Sequence, residues 1–349
     1  MDNKEFEELC KNRPHVVILG AGASKATIPN GDKNNKPISC MDGFLKNLGL
    51  NHLLNNLNLE TKSDNLEDIY SEIYEKSKKD DKFKCVKESI ETDIFNYFND
   101  FEIPDTPTIY DYLLLSLRNK DLVASFNWDP LIIQAGNRLI QRRVIRSDEL
   151  PKIIFLHGNV CATINKNTNR YVLLNKFLPL PDLEKPKLLY PTKHKNYSSD
   201  LLISESWRML RSYLKRAYIL TFFGYSAPKS DHDAIEVIKN AWNSFGAEKG
   251  IEEIEIIDIA NRNDIYKNWE EFISSQHFHI VDNLFDSFLG KYPRRTTNQL
   301  FDVTMNALWG TSDRGYKQNM SFEDLKKFIE PLIKDEEEKD GMFNPYLAS

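Results

Sequence analysis

The feature that most constrains this chain is a recurrence. Short runs of apolar and β-branched residues stop again and again at a small or polar residue, with helical text between them. The runs 15–19, 122–126, 152–156, 218–223 and 254–259 end at Gly20, Asn127, His157, Gly224 and Ala260-Asn261. Short, nearly continuous apolar runs read as strands buried on both faces, and strand–helix alternation predicts a parallel, doubly wound sheet. Helical stretches near 129–141, 200–216 and 230–245 separate the later runs. The expected class is therefore α/β, a Rossmann-like parallel sheet. In such a sheet the strand C-termini converge on one crevice where ligands bind. Residues distant in sequence can meet there.

Two helical blocks are added to this plan. From Met41 to about Leu117 the text is helical, with Glu67, Ile69, Tyr70, Ile73 and Tyr74 at helical spacing and segments 83–99 and 107–119 behaving alike. This predicts a helical insertion subdomain over 38–120. After Pro293 the pattern is helical again over 297–308 and 321–333, and the acidic tail from Lys334 is expected to fray. Residues 162–200, rich in Asn, Lys and Pro, are irregular and read as an extended loop or small excursion. Pro29 to Pro37 reads as a mobile loop over the ligand.

Composition excludes several classes. A net charge of −6 argues against a general polyanion binder, so no direct nucleic-acid contact is expected. Cys10, Cys40, Cys85 and Cys161 are scattered without a Cys-x-x-Cys pair, which excludes a four-cysteine zinc ribbon. His232 beside Asp231 and Asp233 lacks further ligands at convincing spacing, so no metal is expected. Residues 1–13 are charged rather than signal-like, and no apolar stretch approaches the roughly 20 residues that span a bilayer. The expectation is a cytoplasmic protein with reduced thiols and no membrane contact.

The strand tips carry the chemistry. Gly20 and Gly22, with Ala21 between them and Ser24 opening a helix, let backbone N–H groups approach a pyrophosphate. The third glycine of the dinucleotide pattern is replaced by Lys25, so a plain tight turn stays open, with Ser24 as a cap. Asp129-Pro130 reads as a helix start, which leaves Asn127 unexplained. At a strand terminus, that amide faces the crevice and can hold ribose hydroxyls or a water. Trp128 reads as core. His157, freed by Gly158, is placed to move a proton near neutral pH. Gly224 and Ser226 form a small-residue turn suited to ribose or phosphate, or to a helix cap, and Asn261 is placed to touch an adenosine ribose. The tips together read as a nucleotide site containing an acid/base residue.

Gly20-Ala21-Gly22-Ala23-Ser24, Asn127-Trp128-Asp129, His157-Gly158 and Gly224-Tyr225-Ser226, in this order over residues 15 to 262, resemble the sirtuin superfamily. Within it the chain resembles the bacterial NAD-hydrolysing branch of anti-phage defence. The resemblance implies that residues 1–292 form a catalytic unit whose glycine turn holds the NAD pyrophosphate, with 293–349 as a helical extension. It implies that Asn127 contacts the nicotinamide-side ribose and helps position water, that His157 is the base at the ribose, and that Asp129 assists. Deacylase sirtuins carry a four-cysteine zinc module after the His-Gly, whereas only Cys161 follows here. Their Asp-Phe-Arg is replaced by Pro29-Asn30-Gly31-Asp32. Water is then the expected acceptor, giving nicotinamide and ADP-ribose and depleting cellular NAD in abortive infection. A homo-oligomer or a partner such as a HerA-type ATPase, a phage protein or a short Argonaute is expected to gate the crevice. A non-catalytic NAD or ADP-ribose sensor is the alternative, ahead of a nicotinamide-dependent oxidoreductase and a deacylase.

Overall fold

The eight strands among the described residues are β1 (His15–Leu19), β2 (Leu122–Ser125), β3 (Lys152–Phe155), β4 (Ala162–Asn165), β5 (Arg170–Leu173), β6 (Ile219–Phe223), β7 (Glu253–Ile257) and β8 (Phe278–Val281). The structure is a computed structural model that describes residues 3–39, 43–54, 57–192, 197, 200–227, 232–243, 251–273, 278–306 and 315–339. His194, the side chain of His232, Pro228 to Asp231 and the tail beyond 339 lie outside them. Six strands form one sheet in the order β3-β2-β1-β6-β7-β8, with every neighbouring pair parallel. The expected α/β class is the observed one.

Side chains alternate across each strand, and the two sides build two cores. Val17, Leu19, Val123 and Phe155 face Phe44, Leu66, Ile73, Ile94, Phe98 and Leu113 from the inserted helices. Val16, Ile18, Leu122, Ala124 and Ile154 face Trp207, Leu210, Ile238, Ile265 and Trp269. The inserted helical segment is thus one whole layer of the sandwich and shares its core with the sheet. Local chemistry starts its helices. Asn65 accepts from the Glu67 N–H ahead of Leu66–Ser77, Asp80 accepts from the Lys82 N–H ahead of Asp81–Asn99, and Thr108 with Asp111 makes a capping box for Ile109–Ser116.

Three expectations need correction. The stretch 162–200 contains an antiparallel hairpin, β4 with β5, whose four-residue strands are too short to show an alternating pattern. Residues 3–12, whose charge is their one evident feature in the sequence, form a helix that seats Leu9 against Tyr218, Ile219, Leu300 and Phe301. The acidic run from Lys334 does not fray at once: the helix Phe322–Glu338 continues through it. Arg294, whose side chain is 2% exposed, grips Glu336 with two nitrogens at 2.8 and 2.7 Å, and Arg295 holds Asp335 at 2.8 Å. Buried cations give those acids a reason to stay folded.

Polar side chains also cross the sheet. Glu255, fully buried, accepts from the Thr221 hydroxyl (3.0 Å), the Phe288 N–H (2.7 Å) and His279 Nε2 (2.9 Å). A carboxylate only accepts, so Thr221 must donate to it and in turn accept from His15 Nε2 at 2.7 Å. His15 Nδ1 then accepts from the Thr296 hydroxyl at 2.9 Å, and burial pushes the ring down to about 3, keeping it neutral. His279 behaves oppositely. Burial alone would depress it, but hydrogen bonds and charge from Glu253 and Glu255 push it up to about 9. A histidine raised in the folded state adds stability that is complete below its unfolded value near 6.5 and lost as pH rises toward 9. Urea unfolding should therefore show wild-type stability declining over that window, and His279→Gln should flatten the decline. Equal slopes for the two proteins would count against this pairing.

Candidate functional site

The strand order reverses at β1 and β6, so the C-terminal ends of these two strands open the crevice of a doubly wound sheet. Two glycine turns meet there backbone to backbone. The Gly20 N–H donates to the Phe223 carbonyl (3.0 Å), Gly22 N–H to Gly224 O (2.9 Å) and Gly224 N–H to Ile257 O (2.9 Å). A Cβ on Gly22 would lie 2.7 Å from the Gly224 Cα, and one on Gly20 would lie 2.5 Å from the Gly224 oxygen. These glycines are needed for close approach of one turn to the other; the amides of Gly20 and Gly22 are committed to that contact, and the amide of Gly224 goes to the end of β7. Ala21 and Gly22 are exposed.

Behind the first turn lies a compact hydrogen-bonded group. Ser24 opens no helix as a cap; it is buried in the first turn of Ala21–Thr27 and its hydroxyl donates to Asp129 Oδ2 at 2.7 Å. Asn127 Nδ2 donates to the Gly20 carbonyl at 2.8 Å and to Ser24 Oγ at 2.9 Å. A backbone carbonyl cannot donate, so the amide orientation is decided: nitrogen inward, Oδ1 away from the turn. Among the described residues nothing donates to that oxygen, and Asn127 is half-buried. Asp129 is buried and its Oδ1 accepts from the Leu131 N–H at 3.2 Å, so it also supports the helix Leu131–Gln141. Burial raises its carboxyl to about 6, opposed by the hydrogen bonds from Ser24 and Leu131.

Two members of the site lie outside the strand-tip motifs. Tyr110, on the helix Ile109–Ser116, brings its hydroxyl to 2.9 Å from Ser24 Oγ and 3.3 Å from Asn127 Nδ2. Asn159 donates to the Asp129 carbonyl (2.6 Å) and the Asn127 carbonyl (3.3 Å), while its Oδ1 accepts from the Cys161 N–H (2.9 Å). It ties the tip of β3 to the tip of β2. A polar residue two places after His157 was the one available hint of it; Tyr110 sits in helical text that gives no sign of a site.

His157 ends β3 in a different setting. Its ring meets Phe126 edge-on at 4.7 Å and lies nearly parallel to Tyr197 at 6.2 Å. Phe126 in turn stacks on Tyr225 at 4.7 Å, so an aromatic row connects the histidine to the Gly224 turn. Asn127 and His157 thus cap adjacent strands, but Asn127 leans on the layer of inserted helices and His157 on the opposite layer. Trp128 is core, packing edge-on against Phe98 at 5.6 Å. Ser226 is exposed. Asn261 is exposed too, and accepts from the Asn263 N–H at 2.9 Å at the start of the helix Arg262–Ile273. The segment after the glycine turn is stapled down: buried Asp32 accepts from the N–H groups of Asn34, Lys36 and Glu102. Among the described residues no group of three or more His, Cys, Asp or Glu is placed to hold a metal, and no helix is long and apolar enough to cross a membrane.

No protein-family profile matches the chain, and no curated protein does. Among solved structures it is similar to a Sir2 homologue in complex with NAD, at 15% identity and a TM-score of 0.39, covering 80% of this chain and 88% of that one. A Sir2 structure bound to acetylated peptide gives 16% identity and a TM-score of 0.37 over 88% and 99% of the two chains. A structure from work on sirtuin substrate affinity gives 17% identity and 0.38 over 81% and 94%. These are distant likenesses.

Proposed function

We propose that this chain hydrolyses NAD to nicotinamide and ADP-ribose. The observation that carries the reading is the aim of Asn127. Its amide nitrogen is tied to Gly20 and Ser24 at the switch point of the sheet, which leaves Oδ1 as an acceptor for a water or a ribose hydroxyl. Cleavage breaks the bond between ribose C1′ and the pyridinium nitrogen, and positive charge grows on the sugar. Nicotinamide leaves neutral, so positioning and electrostatics supply most of the catalysis. Water then bonds to C1′ and loses a proton. Asn127 orients that water or the ribose, His157 relays the proton, and ionised Asp129 sets the local charge behind Ser24. Gly20, Ala21, Gly22, Gly224 and Ser226 line the phosphate and ribose side, and Asn261 serves the adenosine end. No metal takes part.

The role we assign is antiviral: NAD depletion that halts an infected cell, held silent until a homo-oligomer or a regulatory partner opens the crevice. The cytoplasm is its proposed location. Purified protein incubated with NAD, alone and with candidate partners, should release nicotinamide on a chromatogram. NAD binding by calorimetry without nicotinamide over hours would replace the enzyme with a sensor module. The rate carries its own signature. Asp129 holds its proton below about pH 6 and loses it above, so turnover should fall as pH drops through that value. Asp129→Asn should show a lower rate with no such acid limb; a limb that persists in the variant would remove Asp129 from the mechanism.

A further inference from the structure

We propose that Tyr110 is a positioning residue that sets the direction of the hydrogen-bond chain through Ser24 to Asp129 and, through it, the aim of the Asn127 amide. The inference rests on the hydrolase reading for its consequence in rate, though not for its geometry. Tyr110 is 1% exposed and comes from the inserted helical layer, 86 residues after Ser24. Ser24 Oγ has one hydrogen and two lone pairs. The hydrogen goes to Asp129 Oδ2, and Asn127 Nδ2 fills one lone pair. The second lone pair is left for the Tyr110 hydroxyl, which must therefore donate.

That count holds only while Asp129 is ionised. Once Asp129 is protonated and donates to Ser24 Oγ, three donors would converge on an oxygen that keeps its own hydrogen. The serine hydrogen must then turn to Tyr110, whose hydroxyl has to swing from donor to acceptor. Phenylalanine at this position removes the donor that opposes the protonated arrangement and frees the amide of Asn127 from one of its neighbours. The titratable groups whose charge interacts with Asp129 are Tyr97, Tyr110 and Cys161. Burial raises both phenols and pushes the thiol up to about 12, so all three stay neutral across the working range. Asp129 has no cationic partner among the described residues. Burial raises its carboxyl, and the hydrogen bonds from Ser24 and the Leu131 N–H oppose that rise, so the hydroxyl network is the part of this balance that Tyr110 can move.

The test compares Tyr110→Phe with wild type in two independent measurements. Nicotinamide release should fall about ten-fold in kcat with KM nearly unchanged, and the acid limb should move upward by about half a pH unit. Separately, the carboxyl carbon of Asp129 is followed by carbon-13 NMR without substrate, its signal assigned by its absence from Asp129→Asn. The same upward move is expected there. Unchanged kcat and an unchanged carboxyl midpoint overturn the role of Tyr110 while leaving the hydrolase standing. A wild-type protein that releases no nicotinamide, but whose carboxyl midpoint moves with Tyr110→Phe, supports the network and overturns the hydrolase.

Discussion

Asn127→Ala is expected to cut nicotinamide release by roughly 10²-fold or more, about 2.7 kcal/mol at the transition state, while the protein stays folded. Truncation removes the acceptor that aims water or ribose at C1′, and it also leaves the Gly20 carbonyl and Ser24 Oγ without the donor they share. Because Asn127 is half-buried at the crevice, water can replace that donor, so the structural cost is small. Circular dichroism and a melting curve close to wild type should accompany the loss. His157→Ala should produce a loss of the same order. Wild-type rates in both purified variants would end the assignment. Asn127→Asp makes a sharper comparison, since a carboxylate would face the Gly20 oxygen with no hydrogen to offer. It should be inactive and less stable by about 1–3 kcal/mol.

Gly224→Ala should damage the fold itself. Gly224 has φ +59°, and a Cβ there would lie 2.2 Å from the Ala23 nitrogen and 2.4 Å from the Gly22 carbonyl carbon. Both contacts are to backbone, so no side chain can move aside. The two turns must separate, which strains the bonds that join them, from Gly20 N–H to Phe223 O and from Gly22 N–H to Gly224 O. A cost of about 4 kcal/mol or more follows, with melting lowered by roughly 5 °C. Gly136 is the control. It lies inside the helix Leu131–Gln141, where an added Cβ would sit 3.6 Å from Leu114 Cδ1, ordinary contact. Gly136→Ala should raise stability by about 0.5–1 kcal/mol through helix propensity. If both variants melt within a degree of wild type, the two turns do not carry the load assigned to them.

Much of the sheet was legible before any coordinates. The run His15–Leu19 is buried throughout, and the later runs begin and end within a residue or two of their strands. The hairpin Ala162–Asn165/Arg170–Leu173 was not legible, because one four-residue strand is almost wholly buried and the other largely exposed, and neither carries an alternation to read. At the site, the motif positions pointed to Asn127, Asp129 and Ser24, but not to how they connect. Ser24 could be read as a helix cap and is instead the hub that joins three polar groups, Tyr110, Asn127 and Asp129. Nothing in the local sequence marks Arg294 and Arg295, which are the buried anchors of the C-terminal helix. In each case the deciding partner lies 40 or more residues away.

What the amino-acid order determined by itself is whatever short-range physics controls: β-branched runs that must be strands, polar caps that start helices, and glycines where two backbones have to touch. Those effects act within a few residues and leave a periodic trace. The tertiary structure alone decided which way the Asn127 amide points, which layer His157 leans on, and that Tyr110 and Asn159 belong to the site. Each depends on a hydrogen bond or ring contact made across the sheet, and whether a donor finds its acceptor is settled only when separate segments pack against one another.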